Sequence, residues 1–156
     1  MTLTILYISI SGNTRSFAQR LQKYAQEHTA DEAPVIQLKE IHENSVLAAE
    51  TAPFFVFVPT YLEGGNGVDN GDHEILTESM RDYLAFQENY RYCLGVVGSG
   101  NKNFNRQYCL TAKQYAQQFQ IPFLADYELR GTNEDLKTIY KVLTEAAANK
   151  NTLENS

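Results

Sequence analysis

The residues best suited to chemistry form a hydroxyl-rich loop close to the amino terminus. The loop follows an apolar strand-like run, opens a helix-like segment and consists of Ser9, Ile10, Ser11, Gly12, Asn13 and Thr14. The orphan backbone N–H groups and the dipole of a helix N-terminus both attract an anion. The loop lacks the lysine that a nucleoside triphosphate normally needs together with Mg²⁺. We therefore predict a site for a single phosphate monoester here.

A helix cap after a simple turn is the alternative for this loop, because Ser, Thr and Asn also cap helices. The loop's position after the first strand of an alternating strand and helix pattern favours ligand binding over a cap alone. Arg15 comes next in the sequence. Its guanidinium group either adds positive charge to the site or faces solvent.

Two further loops combine glycines with aromatic and polar side chains. The second loop follows the apolar run at residues 53–58, and its candidate ligand-binding residues are Thr60, Tyr61, Gly64 and Gly65. The third loop follows residues 92–97, and its candidates are Gly98, Ser99, Gly100, Asn101, Asn103 and Phe104. Aromatic rings stack on planar ligands, and glycines let backbone groups approach a ligand closely. A tight bend is the alternative explanation for each of these loops taken alone.

These loops need elements that bring them together. Short apolar runs at residues 3–8, 35–38, 53–58, 92–97 and 123–129 predict five strands. Apolar residues at helical spacing predict helices from residue 13 to about 28, around 75–84, at 105–119 and after a cap at 132–135. We interpret the whole as a β-α unit that is repeated five times.

Such alternation predicts an α/β fold, in which helices cover both faces of a five-stranded parallel sheet. The predicted strand order is 2-1-3-4-5, which places ligands at the carboxyl ends of the strands, where all three loops lie. Residues 1–148 form a single predicted domain, and residues 149–156 form a polar tail.

The composition fits one soluble domain and argues against several classes of protein. Hydrophobic residues are 43% and charged residues 21% of the 156, which is too apolar for a disordered chain. The formal net charge of -6 argues against a nucleic-acid binder. The apolar runs are far shorter than a membrane span, and no signal peptide is apparent. We therefore expect a cytoplasmic protein without membrane contact.

The residues that usually bind metals are isolated in this sequence. Cys93 and Cys109 lack the CxxC spacing of metal and redox sites, so we expect both thiols to be structural. His28, His42 and His73 also stand alone. We therefore expect no metal site in this chain.

Three short strings resemble the NrdI flavoproteins, which are flavodoxin-like activation partners of class Ib ribonucleotide reductase. They lie at residues 59–65, with Pro-Thr-Tyr and Gly-Gly, at 98–104, Gly-Ser-Gly-Asn-Lys-Asn-Phe, and at 127–132, Tyr-Glu-Leu-Arg-Gly-Thr. The second and third strings are specific to that family, whereas the phosphate loop is shared more widely. The chain differs from the shorter members in its longer second loop, where residues 68–72 resemble an insertion.

The resemblance implies a flavodoxin-like fold and one noncovalently bound FMN, held by the residues of the three loops. It also implies that an electron donor reduces the FMN and that the reduced flavin converts O₂ to superoxide. Superoxide would pass to the dimanganese centre of the reductase's radical-bearing subunit, where the tyrosyl radical is assembled. The chain would be a monomeric accessory protein that orients the cofactor. The carbonyls of Gly64 or Gly65 are candidate acceptors for the flavin N5–H.

Two other functions stay open at this point. An ordinary flavodoxin, a mobile electron carrier that avoids O₂, would use the same fold and phosphate loop. A flavin-free binding module would use the helix terminus for another phosphorylated ligand. Slow reoxidation in air would indicate the first alternative. A colourless protein whose stability does not rise with FMN would indicate the second.

Overall fold

The computed structural model describes residues 2–9, 12–27, 35–60, 78–100 and 109–154, with side chains described up to residue 149. The strands within these ranges are β1 (Thr2–Tyr7), β2 (Val35–Glu40), β3 (Phe54–Pro59), β4 (Cys93–Gly100) and β5 (Phe123–Glu128). The helices are α1 (Asn13–Glu27), α2 (Glu78–Ala85), α3 (Leu110–Phe119) and α4 (Asn133–Glu154), and a 3₁₀ segment (Phe86–Tyr92) follows α2.

All five strands run parallel in one sheet, in the order β2-β1-β3-β4-β5. This arrangement confirms the predicted α/β class and the predicted strand order. Because every strand runs the same way, the carboxyl ends of β1, β3 and β4 lie at one edge of the sheet. The three loops singled out in the sequence leave the sheet at that edge.

The central strand β3 separates two hydrophobic cores. Phe55 and Phe57 belong to the core that the sheet shares with α1 and α4. Phe54, Val56 and Val58 belong to the core that it shares with α2 and α3. A strand covered on both faces is continuously apolar, which explains why this run gives such a clear strand signal. The cores hold the loop-bearing edge of the sheet between two helical layers.

The end of β4 differs from the sequence-based expectation. Gly98, Ser99 and Gly100 were predicted to stop the strand, whereas the structure places them inside it. Gly98 pairs with Val58 of β3, and all three residues also pair with β5. Two flanking strands therefore impose extended backbone on a sequence that favours a turn locally. A Cβ atom at Gly98 would lie only 2.6 Å from the Cβ of Ala112 in α3, so the glycine permits close packing.

The repeat of five β-α units is also corrected by the structure. Residues 41–53 connect β2 to β3 without a helix. This connection is held by a hydrogen-bonded asparagine, Asn89, instead of by an amphipathic face of its own. The Asn89 side chain accepts a hydrogen bond from Glu50 N–H and donates one to the Ala48 carbonyl, at 2.7 and 2.9 Å.

Helix α4 begins at the predicted cap. Thr132 Oγ1 accepts a hydrogen bond from Asp135 N–H at 3.1 Å, and Asp135 Oδ2 accepts one from Thr132 N–H at 2.8 Å. This reciprocal pair is a capping box. The helix continues to Glu154 and so includes residues 149–154 of the predicted polar tail. In the described part of the chain, no helix has the length and apolar character needed to cross a membrane.

Neither cysteine forms a disulfide within the described residues, and both thiols are buried, as expected for structural thiols. Cys93 donates a hydrogen bond to the Gly95 carbonyl at 3.3 Å. Burial raises the pKa of the Cys93 thiol to about 12, so the thiol stays protonated at neutral pH. Cys109 directly precedes α3 with a positive φ of 58°. The predicted earlier start of this helix, at residues 105–108, lies outside the described residues.

Candidate functional site

The structure describes half of the candidate ligand-binding residues. Those within the described ranges are Ser9, Gly12, Asn13, Thr14, Thr60, Gly98, Ser99 and Gly100. Those outside the described ranges are Ile10, Ser11, Tyr61, Gly64, Gly65, Asn101, Asn103 and Phe104. The described members belong to or follow β1, β3 and β4, which are neighbours in the sheet. The sheet therefore brings residues from all three predicted loops to one edge.

Gly12 forms the entry to α1 and leaves space in front of the helix. Its φ is +92°, a conformation that L side chains rarely adopt, and its carbonyl accepts a hydrogen bond from Ser16 N–H at 2.9 Å. A Cβ atom built at Gly12 would meet no atom of the described residues within 4 Å. The helix N-terminus, with its unsatisfied N–H groups, therefore has open space beside it that an anion can enter.

Ser9, the first residue of the predicted phosphate loop, is hydrogen-bonded to Arg15, which directly follows the loop. Arg15 N–H donates to Ser9 Oγ at 3.3 Å, so the serine oxygen already accepts one bond from the first turn of α1. The Arg15 guanidinium group donates to Glu40 Oε1, with Nη2 at 2.5 Å and Nε at 3.0 Å. That hydrogen bond and charge raise the pKa of Arg15. The sequence left it open whether the Arg15 guanidinium group joins the site or faces solvent. In the structure this group forms an ion pair with Glu40 beside the end of β2.

Thr14 carries a buried hydroxyl that has no hydrogen-bond partner of good geometry among the described residues. The residue is 1% exposed and lies in the first turn of α1. Leaving a buried hydroxyl unsatisfied costs about 1–3 kcal/mol, so a fold retains one where something else satisfies it. A phosphate oxygen at the helix N-terminus would accept the Thr14 O–H. The donor set here, a hydroxyl together with helix N–H groups, fits a phosphate group.

A second orphan hydroxyl, that of Tyr127, lies behind the first. Tyr127 is 2% exposed near the end of β5, and its hydroxyl also has no hydrogen-bond partner of good geometry within the described ranges. Burial raises the pKa of Tyr127 far above its ordinary value, and the nearby Ser99 and Thr14 hydroxyls lower it by less. Sequence reasoning did not place Tyr127 in the site. A tyrosine close to the carboxyl end of a strand, within a family-specific string, was the available signal.

The Tyr127 ring is fixed by its packing on α1. It stacks on Phe17, with ring centroids 3.9 Å apart and planes 14° from parallel. Gly131, at φ +73°, lies so close that a Cβ atom there would be 2.5 Å from the Phe17 ring. Arg20 of α1 donates to the carbonyls of Arg130 and Gly131. The turn after β5 is therefore tied to the helix that opens at the candidate site.

Thr60 ties β3, β4 and α3 together at the same edge. Its N–H donates to the Ser99 carbonyl at 2.8 Å, and its Oγ1 accepts from Thr111 N–H at 3.0 Å. Cys109 directly precedes α3 but offers no side-chain cap, so the Thr60 hydroxyl caps that helix from another element. The Thr60 proton remains available to donate to a ligand.

Comparisons with known proteins agree with this arrangement. The family model described as NrdI flavodoxin-like matches residues 5–141. An NrdI-like protein of Streptococcus pyogenes is 50% identical over 141 residues, covering 90% of this chain and 91% of the relative. The NrdI protein of Bartonella tribocorum is 33% identical, covering 92% and 94% of the two chains. A solved short-chain flavodoxin associated with a bacterial microcompartment superposes with a TM-score of 0.62 at 16% identity, covering 96% and 98%.

Proposed function

The chain belongs to the NrdI flavodoxin-like family, and from that premise we propose that it binds one FMN at the carboxyl edge of its sheet. The family and the fold make the chain a flavodoxin-like flavoprotein. FMN, as the particular flavin, is supported by the hydroxyl-rich helix terminus, which suits a single phosphate monoester. The observation that carries the proposal is the orphan Thr14 hydroxyl beside the open space at Gly12.

In this proposal the first loop holds the phosphate group. The N–H groups of Asn13 and Thr14, at the start of α1, donate to the phosphate oxygens together with the Thr14 hydroxyl. Gly12 keeps the approach open, because any side chain there would project into the phosphate position. Ser9, which already accepts a bond from Arg15 N–H, still has its own proton to donate. The remaining candidates in this loop are Ile10 and Ser11.

The other two loops would hold the isoalloxazine ring. Thr60 and the end of β4 are fixed by backbone bonds between adjacent strands, which gives the ring a rigid edge to rest on. The candidates beyond that edge are Tyr61, Gly64, Gly65, Asn101, Asn103 and Phe104. Stacking on an aromatic ring is worth about 0.5–1.5 kcal/mol beyond the buried area.

The proposed partner is the radical-bearing dimanganese subunit of a class Ib ribonucleotide reductase. When FMN is bound and reduced, the chemistry it supplies is one-electron reduction of O₂ to superoxide, which the partner uses to assemble its tyrosyl radical. The described side chains position the cofactor and contribute no general acid or base to that chemistry. We propose the cytoplasm as the compartment, where free thiols such as Cys93 and Cys109 persist.

The decisive experiment measures FMN binding and formation of the tyrosyl radical separately. Purified apo-protein is titrated with FMN and with riboflavin by flavin fluorescence, and we expect FMN to bind more tightly because only FMN has a phosphate. The reduced holo-protein is then mixed with manganese-loaded radical subunit and O₂, and the tyrosyl radical is followed by electron paramagnetic resonance. Slow air reoxidation without radical would indicate an electron-carrying flavodoxin. A protein that binds no FMN would indicate a flavin-free module.

A further inference from the structure

Three buried hydroxyls converge behind the helix terminus, from three elements that are distant in sequence. They belong to Thr14 of α1, Ser99 of β4 and Tyr127 of β5, with exposures of 1%, 3% and 2%. We call these three residues the hydroxyl triad. Within the described residues, the Thr14 and Tyr127 hydroxyls have no well-aligned hydrogen-bond partner, although the Ser99 and Thr14 hydroxyls lie near enough to Tyr127 to lower its pKa by hydrogen bonding.

The Tyr127 hydroxyl keeps its proton at neutral pH and can therefore donate a hydrogen bond. Because the residue is buried, its pKa lies well above the ordinary value, so the phenol stays protonated and acts as a donor. Its ring cannot swing away, since it is stacked on Phe17 and lies against Gly131. The hydroxyl is therefore a fixed donor that needs an acceptor within reach.

We propose that Tyr127 is a positioning residue that orients the Thr14 hydroxyl toward the phosphate of the bound nucleotide. A threonine hydroxyl has one proton and two lone pairs. When Tyr127 O–H donates to Thr14 Oγ1, the threonine proton is free to point toward the phosphate. The chain of donors then runs from Tyr127 through Thr14 to a dianionic oxygen, and each bond polarises the next.

This arrangement explains why the fold keeps two orphan hydroxyls so close together. Without an anion, Thr14 has no good acceptor and the geometry of the pair stays open. With an anion at the helix terminus, both hydroxyls are satisfied in one line. The triad would therefore select ligands that carry a phosphate group, and this selectivity would not extend to the flavin ring.

The inference rests on the proposed function and is tested by Tyr127→Phe, which keeps the stacked ring and removes only the hydroxyl. Apo-protein is titrated with FMN and with riboflavin. We expect FMN to bind about fivefold more weakly to the variant, the loss expected for one net hydrogen bond. Riboflavin affinity should not change. The melting temperature of the apo-protein should hold or rise, because an unsatisfied buried hydroxyl is removed.

Inorganic phosphate provides a second measurement that does not depend on riboflavin binding. Phosphate should raise the melting temperature of the wild-type apo-protein, and it should raise that of Tyr127→Phe by less. A double-mutant cycle with Thr14→Val identifies the pathway. Once the Thr14 hydroxyl is absent, Tyr127→Phe should weaken FMN binding no further. If the losses of FMN affinity in the two single variants simply add in the double variant, the proposed chain of donors from Tyr127 through Thr14 is wrong.

Tyr90→Phe is the matched control. Tyr90 stacks on Phe119, with centroids 5.4 Å apart, on the opposite face of the sheet. The FMN affinity of Tyr90→Phe should equal that of the wild type. An equal loss of affinity in Tyr90→Phe and Tyr127→Phe would contradict a specific role for Tyr127. Unchanged FMN affinity in Tyr127→Phe, or equal losses for FMN and riboflavin, would overturn the inference alone. Failure of the wild type to bind FMN would overturn the proposed function itself.

Discussion

Two tyrosines on opposite faces of the sheet are equally buried but have opposite hydrogen-bond states. The Tyr83 hydroxyl donates to Glu50 Oε1 at 2.5 Å and lies 2.6 Å from Lys39 Nζ, which also contacts Glu50 at 2.9 Å. Within the described residues, the Tyr127 hydroxyl has no such partner. Both rings are close to fully buried, but the Tyr83 hydroxyl reaches the partly exposed Lys39 and Glu50, whereas the Tyr127 hydroxyl lies near the buried hydroxyls of Ser99 and Thr14.

The comparison separates a structural polar network from the proposed ligand site. Around Tyr83, Asn89 makes three bonds that fix the connection between β2 and β3, and its donors and acceptor are used. Around Tyr127, two buried hydroxyls, those of Tyr127 and Thr14, have no hydrogen-bond partner of good geometry in the part of the chain that the structure describes. A network whose groups are all satisfied rigidifies the fold, whereas an unsatisfied buried donor needs an explanation, which the proposed phosphate group supplies.

The largest effect on the structural side is expected from Asn89→Ala. The substitution leaves Glu50 N–H and the carbonyls of Ala48 and Tyr83 without their partner. We expect the free energy of unfolding to fall by about 3 kcal/mol, measured by urea denaturation, with FMN affinity retained. Asn44→Ala, at an exposed side chain in the same connection, should change stability little. An equal effect of the two would show that the network does not hold the connection.

On the ligand side, Gly12→Val should act mainly on binding. The valine is strained at φ +92°, which costs about 1–3 kcal/mol, and its methyl groups would occupy the phosphate position. We expect FMN affinity to fall at least about tenfold, or about 1.4 kcal/mol, measured by fluorescence titration. Gly12→Ala carries similar strain with less bulk and should retain more affinity. Equal affinities for both variants would place the phosphate elsewhere.

Removing each phenol hydroxyl tests the comparison directly. Tyr83→Phe should destabilise the apo-protein by about 1 kcal/mol, because the partly buried Glu50 and the half-exposed Lys39 each lose a hydrogen-bond partner. Tyr127→Phe should leave apo-protein stability unchanged or higher. Both values come from urea denaturation of the apo-protein. A similar loss in the two variants would mean that Tyr127 is also part of a satisfied network.

The smallest effect concerns pH. Burial raises the pKa of both tyrosines above 10.0, and that of Tyr127 is raised further. A raised folded-state pKa gives stability that is fully present below the unfolded pKa and is lost as pH rises through the folded pKa. Apo-protein stability should therefore decline above about pH 10. Tyr127→Phe should flatten that decline more than Tyr83→Phe does. If the stability of the wild type and of both variants falls with pH in parallel, the two tyrosines are not the cause of the decline.

Local sequence patterns predicted most of the framework. The apolar run of β3 and the helical spacing of Phe17, Ala18 and Leu21 in α1 are set by which faces are buried, and this periodicity is visible in the sequence. The end of β4 was predicted wrongly because Gly98 and its neighbours favour a turn locally but pair with strands on both sides. The prediction of five β-α units was wrong after β2, where residues 41–53 form no helix and are held by the distant Asn89.

The sequence by itself determined the five strands, the helices around them and the hydroxyl-rich opening of α1, because burial pattern and capping are local properties. The strand order in the sheet followed from general rules for alternating strands and helices. Tertiary structure alone decided that Arg15 pairs with Glu40, that Thr60 caps α3, and that Tyr127 lies behind Thr14. Those outcomes depend on atoms from separate elements meeting in space. A local sequence pattern does not show which buried hydroxyl forms a hydrogen bond within the protein and which one would donate to the proposed ligand.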